Sequence, residues 1–211
     1  MDHKQVTRHT VNAAAAFLQP GDVIVTRHAK ALTNLFFPGF WPHAALYVGT
    51  PAQRQAAGAS AARKNPALRE PGVSVLEAKK DGVLLRPLVE TLTVDAFTIL
   101  RPNLRSAAIT RAIERALAHE GKQYNFDFNF FNSDRIVCTE LVYRAFDGLE
   151  DLDFPLRERA GRKTLSAEDL LDFALDTGAF TPVAIFGVDG CRQAVLHGDG
   201  VRDALIASYR A

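Results

Sequence analysis

The sequence has few of the residues that build cross-linked or metal-bound frameworks. Its 211 residues include two cysteines, Cys138 and Cys191. Two are too few for a disulfide framework, and neither has the Cys-x-x-Cys spacing typical of zinc sites. We therefore expect no metal site, and each cysteine must be interpreted from its own surroundings. Cys191 follows the turn-forming segment 187–190 (GVDG), and we interpret it as a structural or surface thiol.

The sequence also lacks an excess of charge of one sign and long apolar runs. It has 25 Lys and Arg against 24 Asp and Glu, interleaved along the chain, with a net charge of +1, which argues against a nucleic-acid partner. No segment approaches the roughly twenty apolar residues of a membrane span. The apolar stretch 11–18 (VNAAAAFL) is short and runs into Pro20 without a small-residue cleavage site. It predicts an N-terminal helix of a cytoplasmic protein.

An apolar fraction of 47% predicts one domain that spans residues 1–211. Hydrophobic periodicity predicts a first helix, then a block of strands, then mostly helices. The predicted strands are 22–26, 43–48, 73–78, 82–85, 96–100 and 182–186, and the predicted helices are 10–18, 106–120, 136–146 and 166–177. The Ala/Arg-rich segment 50–72 is too long for a tight hairpin, and we interpret it as an excursion or lid.

Cys138 lies where a predicted helix begins. Free backbone N–H groups and the helix dipole favour a thiolate at such a position and can also receive a developing oxyanion. A catalytic role is therefore one interpretation. The alternative is a buried cysteine that packs as a small hydrophobic side chain, and placement alone leaves both open.

His43 and Glu77 are candidate partners of this thiol. His43 heads a strand directly after Pro42, where its ring can point from the end of a sheet into a cleft; the alternative is a core histidine bonded to a backbone carbonyl. Glu77 shares a strand face with Val73 and Val75, and an acid on an apolar face needs a partner. If the two strands are adjacent, His43 and Glu77 can meet. Otherwise Glu77 is an exposed acid that pairs with neighbouring lysines.

Five short motifs occur in an order that resembles a known family. They are GDVIV at 21–25, PHAALYVG at 42–49, VLEA with a following DGV at 75–83, GKQY at 121–124 and VCTELV at 137–142. In this order they resemble the circularly permuted branch of the NlpC-type papain-like superfamily, the YiiX/YaeF-like permuted amidases. The resemblance implies an α+β, permuted papain-like fold, in which a small antiparallel sheet or partial barrel packs against the helix that carries the cysteine.

The resemblance also implies roles for four residues. Cys138 corresponds to the nucleophile, His43 to the base that takes its proton, and Glu77 to the acid that orients the ring. Tyr124 corresponds to a residue that binds substrate or the oxyanion, although an ordinary half-buried aromatic is equally compatible with the sequence. The chemistry implied is that of a thiol hydrolase, an amidase or cysteine peptidase, that needs no cofactor.

Aromatic residues approach the proposed site along both segments. Phe40 and Trp41 precede His43, and Phe126 and Phe128 follow Tyr124. They could line a pocket for an apolar acyl or lipid-like group, or simply pack in the core. The expected substrate is the amide of a small peptide, a cell-wall fragment or an N-acyl compound. Two alternatives remain: an acyltransferase or thioesterase that uses the same residues, and a non-catalytic ligand-binding scaffold.

Overall fold

One large sheet organises the molecule. The computed structural model describes residues 6–28, 39–56, 70, 72–127, 130, 134–159 and 161–210. Within these ranges the sheet has seven strands in the order β11-β10-β5-β1-β2-β3-β4, and neighbouring strands are antiparallel. Its strands are β1 Val23–Arg27, β2 His43–Tyr47, β3 Val73–Lys79, β4 Gly82–Pro87, β5 Ala96–Pro102, β10 Phe180–Phe186 and β11 Leu196–His197.

Shorter strands and seven helices complete the described elements. Two small sheets pair β6 Gln123–Tyr124 with β7 Arg135–Ile136 in parallel and β8 Arg157–Arg159 with β9 Arg162–Thr164 in antiparallel orientation. The helices are α1 Arg8–Ala15, α2 Pro51–Ala56, α3 Leu88–Thr91, α4 Ser106–Leu117, α5 Cys138–Phe146, α6 Ala167–Thr177 and α7 Val201–Tyr209. None of these helices is long and apolar enough to cross a membrane.

Both faces of the large sheet are covered, so its central strands are apolar at consecutive positions. Along β2, Ala44 and Leu46 join a core shared with α4, α5, α6 and α7, whereas Ala45 and Tyr47 join a core shared with α1. Successive strand residues point to opposite faces, which explains this division. Helix α5 packs on β2 and β3, and the start of the helix lies beside His43.

Most of the expected elements are present with shifted ends. Helix α1 begins at Arg8, ahead of the expected start, because the Thr7 side chain caps it by accepting a hydrogen bond from Thr10 N. Helix α6 has the expected capping box of Ser166 and Asp169, and it ends at Gly178, whose φ is 70°. Helix α5 starts later than expected, because Ile136 pairs with Tyr124 in a strand and Val137 is extended.

The C-terminal end of the chain and the segment 50–72 need separate comment. The element expected to be last, β10, is followed by β11 and helix α7, whose Val201 and Leu205 are buried in the core. Of the segment interpreted as an excursion or lid, helix α2 and the buried Arg54 are described. Residues 57–69 and 71, on which the interpretation as a lid mainly depends, lie outside the described residues.

Candidate active site

The sulfur of Cys138 lies at the beginning of α5. Val137 is extended and precedes the first helical residue, Cys138, and the buried carboxylate of Glu140 accepts a hydrogen bond from Val137 N at 3.2 Å. Glu140 is held in turn by Arg144, with 2.7 Å between Nη2 and Oε1. The backbone N–H groups of Thr139 and Ala44 donate to the sulfur. The thiol is therefore surrounded by donors that favour its ionised form.

The His43 imidazole lies between two groups. Its Nε2 is 2.8 Å from Glu77 Oε1, and the ring is also hydrogen-bonded to the thiol of Cys138. Because Nε2 is engaged by Glu77, Nδ1 is the nitrogen available to the sulfur. His43 and Glu77 meet diagonally across β2 and β3, whose register pairs Leu46 with Leu76, and such diagonal neighbours are within reach of long side chains. The structure thus brings together Cys138, His43 and Glu77.

Glu77 is fully buried, and several donors surround it. Its Oε2 lies 2.8 Å from Lys79 Nζ and 3.4 Å from Arg86 Nε, and it accepts a hydrogen bond of 3.2 Å from Thr91 Oγ1. Such partners are needed because a buried carboxylate without them would be strongly unfavourable. Glu77 therefore meets His43 across adjacent strands; it also pairs with Lys79, but it is buried and is not the exposed acid of the alternative interpretation.

The neighbours shift the pKa values of all three groups. Burial lowers the pKa of His43, but Cys138 and Glu77 outweigh it and raise the pKa to about 10. Burial likewise raises the pKa of Cys138, but His43 and the two backbone donors outweigh it, so that the pKa falls below its ordinary value. For Glu77, burial is outweighed by His43 and Lys79, and the pKa is lowered to about 2. These directions favour a thiolate beside an imidazolium with a carboxylate behind it.

Tyr124 is buried beside the sulfur. It lies in β6, and burial, followed by the charge of Cys138, raises the pKa of its hydroxyl above the ordinary value. The hydroxyl therefore stays protonated at neutral pH and can act as a hydrogen-bond donor. The ring packs edge-on against Phe126, with the ring centroids 5.0 Å apart.

A cavity of about 410 Å³ opens next to the imidazole. Its lining includes His43, Glu77 and Tyr124 but not Cys138, together with side chains from the ends of several strands and from the region of α3. These residues are Thr26, His28, Pro42, His43, Glu77, Ala78, Lys79, Lys80, Asp81, Glu90, Thr91, Thr93, Val94 and Tyr124. The volume is in the range typical of small-molecule sites.

Phe40, Trp41 and Phe126, the aromatic candidates that the structure describes, do not line this cavity. Trp41 is 1% exposed in the main core, and its Nε1 donates to Ser208 Oγ at 2.9 Å. Phe40 packs against the same core, and its ring centroid is 5.1 Å from that of Trp41. Phe126 is 58% exposed. Phe128 lies outside the described residues.

The sequence alone did not identify Arg86, which contacts Glu77 on the side away from His43, or the partners of Arg86. Arg86 contacts Glu90 Oε1 at 2.7 Å and Asp81 Oδ1 at 2.5 Å as well as Glu77. Arg86 is expected to face the same side of the sheet as Glu77, since it pairs with Val75 in the neighbouring strand. Arg86 is a charged residue in the largely apolar strand β4, which the sequence does show. Its partners could not be identified without knowing how β4 pairs with β3.

The remaining thiol and possible metal ligands lie elsewhere. Cys191 is buried, its Sγ lies 3.8 Å from the carbonyl oxygen of Asp189, and burial followed by the Asp189 charge raises its thiol pKa. Its surroundings are therefore opposite to those of Cys138. Among the described residues, no group of three or more His, Cys, Asp or Glu side chains is arranged to hold a metal ion.

The chain resembles a solved structure and matches a family model. A crystal structure described as that of metalloprotein yiiX from Escherichia coli O157:H7 matches with a TM-score of 0.51 and 15% identity, covering 88% of this chain and 91% of that one. At this identity the likeness shows a shared fold. A comparison with curated proteins gives no match. A family model described as "Permuted papain-like amidase enzyme, YaeF/YiiX, C92 family" matches residues 17–184. The chain therefore belongs to the YaeF/YiiX family of permuted papain-like amidase enzymes.

Proposed function

We propose that this protein is a cysteine-dependent amidase that acts through Cys138, His43 and Glu77. The observation that carries the proposal is the hydrogen-bonded series from the Cys138 thiol through the His43 ring to Glu77 Oε1, 2.8 Å from Nε2. The substrate is the amide of a small peptide, a cell-wall fragment or an N-acyl compound. The proposed reaction uses neither a metal ion nor a cofactor.

The reaction begins with the thiolate of Cys138. Its sulfur attacks the amide carbonyl carbon, a C–S bond forms, and the carbonyl electrons move to the oxygen. The His43 imidazolium then gives its proton to the leaving nitrogen as the C–N bond breaks, which leaves a thioester and a neutral imidazole. In the second half His43 takes a proton from water, and the resulting hydroxide attacks the thioester. The acid product leaves as the C–S bond breaks, and the thiolate and imidazolium are restored.

The charge on the carbonyl oxygen needs donors that are already in position. The backbone N–H of Cys138 at the start of α5 is one such donor in this proposal, and the protonated hydroxyl of Tyr124 is a second. Glu77 contributes by fixing the ring and stabilising the imidazolium. In this proposal the substrate binds in the cavity lined by His43 and Tyr124, and its carbonyl group reaches past that lining to Cys138, which is not part of it.

Selective alkylation tests the reactive pair. We expect iodoacetamide to modify Cys138 faster than Cys191 near pH 7, because the thiol pKa of Cys138 is lowered and that of Cys191 is raised. His43→Ala should slow the modification of Cys138, and Cys191→Ser should leave it unchanged. Peptide mass spectrometry after timed quenching gives both rates. Equal rates for the two thiols would contradict the proposal.

Acyl-enzyme trapping tests the reaction itself. Peptide amides and N-acyl amino acids, incubated separately with the wild type, should add one acyl group to the intact protein mass, and Cys138→Ser should remove the thioester adduct. Release to water identifies an amidase, whereas release to an added amine or alcohol identifies the acyltransferase alternative. If substrates bind but neither an acyl adduct nor a hydrolysis product forms, the chain acts as a binding scaffold and the amidase proposal is wrong.

A further inference from the structure

The short segment that leads into His43 is held by a side chain from a distant helix. Glu168, in the first turn of α6, accepts hydrogen bonds through Oε1 from the backbone N–H groups of Phe40, at 2.6 Å, and Trp41, at 3.3 Å. Hydrogen bonds to a carboxylate are stronger than those between neutral groups. A single oxygen thus fixes two consecutive peptide groups immediately before Pro42 and His43.

The backbone at Gly39 is shaped to admit this carboxylate. A Cβ atom added at residue 39 would lie 2.7 Å from the Cδ, Oε1 and Oε2 atoms of Glu168. Real Cβ atoms essentially never come that close to another heavy atom, so any larger residue at this position would displace the carboxyl group. The Glu168 carboxyl group can therefore keep this position only while residue 39 is glycine.

The position of His43 depends on this segment because its strand is only partly paired there. His43 pairs with Thr26 of β1, but the register between β2 and β3 pairs only Leu46 with Leu76 and Tyr47 with Val75 within the described strands. The N–H of Ala44 is directed to the Cys138 sulfur instead. The backbone around His43 is thus set by one neighbouring strand and by the residues that precede it.

We propose that Glu168 is a positioning residue that sets the His43 ring against the Cys138 sulfur by holding the backbone of Phe40 and Trp41. This inference rests on the proposed function, because it assumes that the pair of Cys138 and His43 is the reactive centre. Other contacts hold the same segment: the Arg27 guanidinium lies 3.9 Å from the centroid of the Phe40 ring, and Trp41 bonds to Ser208 in α7. Of these contacts, that of Glu168 fixes the main chain itself.

The decisive experiment compares Glu168→Ala with Glu168→Gln. The alanine variant loses the acceptor, so the ring shifts, and the rate of Cys138 alkylation at pH 6 to 7 should fall about 10-fold, since a displacement of about 1 Å can cost up to 10²-fold. The fall should become smaller at alkaline pH, where the thiol ionises without help from His43. The glutamine variant keeps an acceptor oxygen and should recover most of the wild-type rate and pH profile.

Further variants separate positioning from general loss of stability. Asp176→Ala, at the other end of α6 and paired with Arg210, should leave the alkylation profile unchanged. Gly39→Ala should slow alkylation in the wild type, and slow it less in the Glu168→Ala background, where the obstructing carboxyl group is gone. Circular dichroism at the assay temperature confirms that each variant is folded.

The outcomes distinguish this inference from the proposed function. If His43→Ala slows alkylation but Glu168→Ala changes only the melting temperature, the positioning role is wrong and the amidase proposal stands. If Glu168→Gln is as slow as Glu168→Ala, acceptance of the two hydrogen bonds is not the cause, and the inference is also wrong. If His43→Ala does not slow alkylation at all, the proposed function itself fails.

Discussion

At the scale of single residues, Glu77 depends on its neighbours for its ionised state. Its carboxylate contacts two cationic side chains, Lys79 and Arg86, in addition to His43 and Thr91. Without them, burial would raise its pKa. The same contacts give the carboxylate a fixed direction, so that one oxygen faces the imidazole and the other faces the remaining donors.

Replacing this carboxylate should lower the basicity of His43. In Glu77→Gln the cations Lys79 and Arg86 remain while the compensating charge is lost, so the pKa of His43 should fall from about 10. Each pKa unit that His43 loses makes its imidazolium about 10-fold less favoured relative to the neutral ring. Because a pKa of about 10 lies well above 7, a small fall leaves the imidazolium populated at pH 7, and we expect Cys138 alkylation there to slow less than about 10-fold. Amide turnover in His43→Ala should fall much more, since that variant removes proton transfer worth about 10²- to 10⁴-fold.

The measurement is the pH dependence of Cys138 alkylation together with an NMR titration of the His43 ring. Lys79→Gln is the matched control, because it removes one partner of Glu77 but leaves the carboxylate in place. It should shift the titration much less than Glu77→Gln. An unchanged His43 titration in Glu77→Gln would show that the acid does not act on the ring.

At the scale of elements, the position of Tyr124 depends on how β6 approaches β4. Val83 N donates to Lys122 O and Gly121 N donates to Val83 O, both at 2.8 Å. A Cβ at Gly82, where φ is +108°, would lie 2.7 Å from the Lys122 carbonyl oxygen. Backbone atoms cannot rotate away as a side chain can, so glycine at this position permits the close contact.

Gly82→Ala should therefore displace β6 and Tyr124 as well as destabilise the fold. Gly72→Ala is the matched control, because φ is +89° and no described residue lies within 4 Å of the added Cβ. The control should lose roughly 1–2 kcal/mol from backbone strain alone, and Gly82→Ala should lose more. Urea unfolding measures both free energies, and only Gly82→Ala should also change the rate of acyl-enzyme formation. Equal losses in the two variants would argue against the contact with Lys122.

At the scale of the whole molecule, His119 makes the stability of the fold depend on pH. It follows α4, and its Nδ1 is buried with no hydrogen-bond partner among the described residues. Burial, with Lys122 and Arg144 nearby, lowers the pKa of His119 to about 4. In the unfolded chain the ordinary value is 6.5. Between these values the unfolded state binds a proton that the folded state does not, so stability falls as the pH falls from 6.5 to 4.

Removing this group should flatten that part of the stability profile. His119→Gln should show a smaller decrease in the free energy of unfolding between pH 7 and pH 4 than the wild type, whatever its stability at pH 7. Urea unfolding at half-unit pH steps tests this, and carboxylates that titrate in the same range cancel because both proteins contain them. Parallel profiles for the two proteins would rule out His119 as the source.

The sequence by itself determined the local features. Strand β2 follows from an apolar run, α6 from its Ser166 cap and Gly178 end, and the start of a helix near Cys138 from its periodicity. The order of short motifs was enough to predict the family, which the match over residues 17–184 confirms. Patterns of this kind are readable because they depend on residues within a turn or a strand of one another.

The tertiary structure alone decided which distant groups support the site. Glu77 meets His43 across 34 positions of the chain, and Glu168 reaches Phe40 across 128. The sequence could suggest the first contact, because both residues lie on predicted strands and one lacked a partner. It gave no indication of the second, because a glutamate in the first turn of a helix already has a local explanation in the helix dipole. Long-range contacts depend on strand order, register and helix packing, and these arise only when the whole chain folds.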